Sequence, residues 1–137
     1  MPSPHPKFNA MIICDNSIRE EGTGKVSLIG IFANINAFSF PAAHPKLTVY
    51  VNITDAEGAY KFRLDMTRVS DGKLLGRADI EAEVSDRRKP TELLLEIGPL
   101  LFERAGTYEF HFYADERYVG GKSFDVLQVE RPTGEHQ

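Results

Sequence analysis

The stretch "AGTYEFHFYADERYVGGKSFDV", Ala105 to Val126, decides how the rest of the chain is read. Tyr108, Phe110 and Phe112 alternate with Thr107, Glu109 and His111. Successive side chains of a strand point to opposite faces, so this run places three aromatic rings on one side and polar groups on the other. "ADER", residues 114–117, breaks the pattern with charge, and Phe124 and Val126 then resume it. Two strands joined by a short charged turn make a hairpin whose aromatics enter a core.

The same period of two runs through the interior of the chain. In "LTVYVNIT", Leu47, Val49, Val51 and Ile53 share one face, and Thr48, Asn52 and Thr54 the other. "YKFRLDM" repeats it with Tyr60, Phe62, Leu64 and Met66, and "DAEG", residues 55–58, reads as a hairpin turn between the two runs. "IEAEV" alternates likewise, and "FNAMIIC", "KVSLIGIF" and "ELLLEI" read as further strands. The segment "DNSIREEGTG" between the first two of these reads as turn-rich. No ten-residue stretch shows an apolar period of 3.6. Short strands punctuated by Gly, Asp and Asn predict an all-β fold, an antiparallel two-sheet sandwich of about seven to nine strands.

The length of 137 residues fits one domain with its own core. That domain is expected over residues 8–128, with flexible tails at 1–7 and 129–137. "MPSPHP" holds three prolines in six residues, and proline has no amide to give to a ladder. The net charge of −4 argues against nucleic acid as a partner, because binding to phosphates needs a basic face; Arg87-Arg88-Lys89 is the one short basic run. Cys14 is the only cysteine, so no disulfide forms within the chain, which fits a reducing compartment. No segment approaches the ~20 apolar residues of a membrane span. Its apolar run at residues 10–14 is too short for a signal peptide. The expected compartment is the cytoplasm, with no membrane partner.

"GTYEF", after a loop containing Pro99, is similar to the entry of the penultimate strand in immunoglobulin-like and fibronectin-like domains. That resemblance implies that Tyr108 buries its ring and returns its hydroxyl to the backbone of the preceding corner. The tryptophan and cysteine pair of antibody domains are missing. The order "IICDN", "GTGKVSLIGIF", "SFPAAHPKLTVYV", "AGTYEFHFYAD" resembles a family of small bacterial proteins of uncharacterised function, over Ala10 to about Val126. The resemblance implies an immunoglobulin-like sandwich and a bacterial origin, and it supplies no catalytic residue.

Motifs for chemistry are weak. "GTGKVS" fails as a phosphate loop, since Arg19 stands where a glycine is needed and Val26 where a hydroxyl is needed. His5, His44, His111 and His136 lack partners at metal-ligand spacing, and no cofactor is expected. Cys14 ends an apolar run beside Asp15, which opposes thiolate formation and predicts an inert core thiol. Alternating strand directions would gather loops 15–24, 55–58, 85–91 and 115–117 at one end. They would bring together Asp15, Glu20, Glu21, Asp55, Glu57, Asp86, Asp115 and Glu116, but also Arg19, Arg87, Arg88, Lys89 and Arg117. An extra strand in "NINAFSF" would break that parity.

The expected role is a non-catalytic binding or assembly module, acting as a homodimer or on a protein partner. The reason is apolar residues assigned to outward faces: Ile29, Ile31, Tyr50, Leu94 and Tyr113. Tyr108, Phe110, Phe112 and Cys14 are expected to be structural. The alternative is a small enzyme, with His111, Asp15 and Asp115 as candidate groups, or a calcium- or ligand-binding domain, using the clustered loops.

Overall fold

The computed structural model describes residues 3–132, so His136 and the ends of both expected tails lie outside the described residues. Among the described residues there are eleven strands and no helix. In chain order they are β1 (Lys7–Arg19), β2 (Val26–Ile31), β3 (Asn34–Ala37), β4 (Ala42–His44), β5 (Leu47–Thr54) and β6 (Gly58–Arg68). There follow β7 (Leu74–Val84), β8 (Thr91–Ile97), β9 (Leu100–Phe102), β10 (Gly106–Ala114) and β11 (Arg117–Gln128). One sheet has the order β2-β1-β5-β8 and the other β3-β11-β10-β6-β7, and β4 pairs with β9 in a separate short ladder.

The alternating positions meet between the sheets. Leu47, Val49, Val51 and Ile53 of β5 lie with Met11, Ile13, Leu93, Leu95 and Ile97 in one core cluster with the aromatics of the larger sheet. Those rings form two stacked groups. Tyr60 stacks on Phe62 at 5.2 Å and Phe62 on Phe112 at 5.4 Å, while Phe124 stacks on Phe110 at 5.2 Å and on Tyr108 at 5.8 Å. Phe102 meets Tyr108 edge-on at 5.0 Å. Offset and edge-on contacts of this kind add to the stabilisation from burial itself, because the ring quadrupoles attract.

Tyr108 is fully buried, and its hydroxyl donates to the carbonyl of Arg104 at 2.6 Å. The bond ties the corner at Glu103–Ala105 to the strand that follows it. Tyr108→Phe keeps the ring but leaves that carbonyl without its donor, and is expected to cost about 1–3 kcal/mol. Urea denaturation checks it: the midpoint should fall while the slope stays unchanged, since the exposed area on unfolding is the same.

Several expectations need correction. The strand count exceeds nine because β3, β4 and β9 are three or four residues long, too short for a period to show. The fold is not wholly antiparallel, since β3 runs parallel to β11. "DAEG" is no hairpin turn: β5 and β6 belong to different sheets, and residues 55–57 cross between them with Ala56 buried at the end of the core. The hairpin turn expected in "ADER" is formed by Asp115–Glu116, with φ of 49° and 67°. Both residues are left-handed, as a two-residue turn matching the strand twist requires. The local strain is offset by bonds to β6, with Asp115 Oδ1 accepting from the Lys61 amide at 2.9 Å and the Asp115 amide donating to the Lys61 carbonyl at 2.9 Å.

The tails are held over their described parts. Tyr60 Oη donates to the Pro4 carbonyl at 2.5 Å, His5 Nε2 donates to the Tyr118 carbonyl at 2.9 Å, and Pro6 is buried. At the other end the Val129 amide donates to the Ala37 carbonyl at 2.9 Å, and the Arg131 guanidinium sits 4.7 Å over the Phe38 ring.

Candidate interaction surface

β1 serves two partners in succession. Residues 7–14 pair with β5, and residues 14–19 pair with β2. Cys14 is level with Thr48 and hence with Glu96 on β8, whereas Glu92 lies four residues up the same strand, away from the direction in which β1 continues. A straight β1 would therefore carry Arg19 roughly 30 Å from Glu92, at about 3.3 Å per residue over nine positions. Instead, Arg19 Nη2 donates to the Glu92 carbonyl at 2.8 Å. The hairpin of residues 15–31 must turn back over the outer face of its own sheet, as an arm.

The bend has an identifiable cause. Gly30 has φ +72°, and a Cβ there would lie 2.4 Å from an Asp15 carboxylate oxygen. Only glycine accepts that backbone and leaves room for Asp15. The Phe32 amide, donating to the Ile13 carbonyl at 3.0 Å, fixes the return of the chain at the root of the arm.

The arm explains why three outward positions are not exposed. Cys14 and Thr48 are buried, and Tyr50 is only 9% exposed. Tyr50 Oη donates to Glu92 Oε2 at 2.5 Å and accepts from Asn52 Nδ2 at 3.0 Å. Burial, and then the neighbouring Glu92 carboxylate, push the Tyr50 phenol above its ordinary range. Burial likewise raises the Cys14 thiol, and Asp15 adds to it, so the thiolate needed for reactivity is disfavoured.

The faces of the arm alternate as a strand pair should. Ser17, Val26 and Leu28 are half-buried on the inner side. Ile18 (53% exposed), Ile29 (48%) and Ile31 (62%) stand on the outer side, with Asn16 and Ser27 between them. An apolar row of this kind on two paired strands is one surface, not scattered single residues.

The outer face of the larger sheet is of another character. Asp65 is 7% exposed and takes a forked pair from Arg77, with Nε at 2.7 Å and Nη2 at 3.1 Å. Arg63 Nε lies 3.3 Å from Asp65 without a hydrogen-bonding angle; its Nη1 donates to Glu116 and its guanidinium lies 4.2 Å over the Tyr113 ring. His111 Nε2 sits 3.1 Å from Thr67 Oγ1 and 3.6 Å from Glu109. Below, Arg68 is 6% exposed and joins Asp71 at 2.7 Å and Glu103 at 3.1 Å, linking the β6–β7 turn to the corner before β10.

Asp71 and Glu103 are both held below the usual carboxylate range, first by hydrogen bonds from Arg68. A carboxylate with a depressed folded-state pKa stabilises the fold above its unfolded pKa, and that contribution is lost as pH falls through the folded value. The melting-temperature gap between the native chain and Arg68→Met is therefore expected to be constant from neutral pH to about 5 and to close in acid below about 4. Scanning calorimetry across that range checks it.

The loops 55–58, 85–91 and 115–117 do gather at one end, because β5, β7 and β10 all finish there. The extra strands reverse the expected direction of β1, and only the folded-back arm returns its tip to that end, where Arg19 lines a hollow with Asp86 and Lys89. Four of the carboxylates there are engaged: Asp86 with the amide and guanidinium of Arg88, Glu116 with Arg63, Asp115 with the Lys61 amide, and Glu20 with the Thr23 hydroxyl. Among the described residues, no group of three His, Cys, Asp or Glu is placed to hold a metal.

A family model for a family of unknown function, DUF6941, matches residues 9–127. The chain belongs to that family. The matched span begins just inside β1 and ends within β11, so the DUF6941 pattern takes in both sheets and the arm. No curated protein matches the chain. Among the described residues no helix is long and apolar enough to cross a membrane.

Of the five apolar residues expected on outward faces of this DUF6941 member, Ile29 and Ile31 share the exposed row. Tyr50 lies beneath the arm, and Leu94, its neighbour on β8, is half-buried. Tyr113 is half-buried on the opposite sheet, under Arg63. Phe110 and Phe112 are fully buried in the core, and Cys14 is buried under the bend. His111, Asp15 and Asp115 are not brought together: they lie on β10, at the arm's root and in the hairpin turn. Sequence reading missed Ile18, the third member of the row, whose alternation with Ser17 was the available signal.

Proposed function

We propose that the chain is a binding or assembly module built on an immunoglobulin-like sandwich, with no catalysis of its own, and that the arm is its recognition surface. That architecture is supported by the order β6-β10-β11, which is the order its strands C, F and G would take, and by β1-β5-β8, the order of A, B and E. The Tyr108 hydroxyl bond to the corner before β10 supports the same reading. The single observation that carries the functional part is the exposed row of Ile18, Ile29 and Ile31 on a hairpin folded across the domain. Binding, not chemistry, is supported by the separation of the candidate groups His111, Asp15 and Asp115, by ion pairs that hold Asp65, Asp71 and Asp86 to strands and turns, and by the covered thiol.

The test is the mass of the complex that a tagged chain occupies when gently released from cells that express it. A mass above that of the monomer, lost when Ile29→Lys replaces the native chain, is the expected result. A monomer, or a complex indifferent to that change, would refute the reading.

A further inference from the structure

We infer that the arm is a self-association element: β2 and the isoleucine row pair with the same elements of a second copy about a two-fold axis. This rests on the arm being the recognition surface and adds the identity of the partner.

A two-fold axis sets each residue near its own copy, so an edge that carries charge repels itself. The four edges of the two main sheets differ sharply on that criterion, and β4 and β9 of the separate ladder are only three residues long. β7 carries Arg77, Asp79, Glu81 and Glu83, three of them acidic. β8 carries Glu92 and Glu96, and its Glu92 carbonyl already accepts from Arg19. β3 is four residues long. β2, "VSLIGI", has no charged residue and no proline, and it is hydrogen-bonded to β1 alone. Natural edges are normally blunted by lysine, proline or acidic side chains, because a bare ladder templates another strand.

The exposed face beside that edge satisfies the same criterion. Its row reads Asn16, Ile18, Ser27, Ile29 and Ile31, with no charge to set against its copy. Antiparallel pairing of β2 with its counterpart would bring six half-exposed isoleucines onto one side of a continuous ladder. β2 with Asn16 and Ile18 supplies eight residues per copy, fewer than the ~20–30 a side of a standard stable interface. The dimer should accordingly dissociate on dilution, with a dissociation constant on the order of micromolar.

The experiment is sedimentation equilibrium of the purified chain over a dilution series, with the native protein, Ile29→Lys, Ile31→Lys and Ser27→Lys. The native chain should move from twice 15.4 kDa toward 15.4 kDa as it is diluted. Each lysine should weaken the dimer by at least about tenfold. Circular dichroism, and the melting temperature at dilutions where the native chain is monomeric, should stay unchanged, because all three side chains are exposed. Ser27→Lys keeps the test open if an isoleucine variant loses the fold, and amide exchange over residues 26–31 should slow as the native dimer forms.

A native chain that is monomeric at every concentration overturns the inference, and so does a dimer that all three lysines leave intact. If the purified chain is monomeric while its cellular complex persists and is lost with Ile29→Lys, self-pairing fails and the binding reading stands. If neither complex forms, both fail.

Discussion

Phe110→Ala should lower the stability of the chain by about 3–5 kcal/mol, the largest effect expected of any single truncation here. Phe110 is fully buried at the centre of β10, stacked on Phe124, with partners on both neighbouring strands. Rigid ladders on both sides prevent collapse into the vacated volume, so the cavity persists and its cost adds to the lost burial. Thermal unfolding should drop by about 10–20 °C for a domain of this size. A loss below about 1 kcal/mol would mean that the ring is not packed as described.

Gly98→Ala should come second, at about 2–4 kcal/mol. Gly98 joins β8 to β9 with φ +150°, and an added Cβ would lie 2.4 Å from the Pro45 carbonyl oxygen and 2.7 Å from Lys46 Cα. Both are backbone atoms and cannot rotate aside, so β5's entry or β9 must shift. Gly22→Ala is the informative companion: its φ is also positive, at +86°, but nothing lies within 4 Å. It should cost only the dihedral strain, about 1–2 kcal/mol. Equal losses at the two sites, measured by denaturant unfolding, would remove the steric argument.

What the sequence made legible follows from the range of the forces involved. The period of two in β5, β6 and β10 reflects each residue's choice between oil and water, which is local, so Val49, Phe62 and Phe110 could be assigned inward directly. β3 and β9 offer at most four positions, and their pairing is decided by distant partners, Val126 for Ile35 and Ala43 for Leu101. The arm was hidden for the same reason. Asp15-Asn16-Ser17 reads as a turn, yet it is strand, and the bend depends on Gly30 making room for Asp15 across the hairpin. Tyr50 then looks outward by alternation and lies beneath the arm, whose Arg19, 31 residues away in sequence, bonds to Tyr50's own partner Glu92. Alternation states which face of a sheet a residue occupies; it does not state what lies on that face.

The position of the arm carries the rest, and one distance tests it. Spin labels at Glu21, in the turn of the arm, and at Lys89, in the loop before β8, should lie within about 20 Å if the hairpin turns back over its sheet, since Arg19 then touches Glu92. A separation well beyond about 30 Å, the reach of a straight β1, would contradict the folded-back arm and the surface built on it.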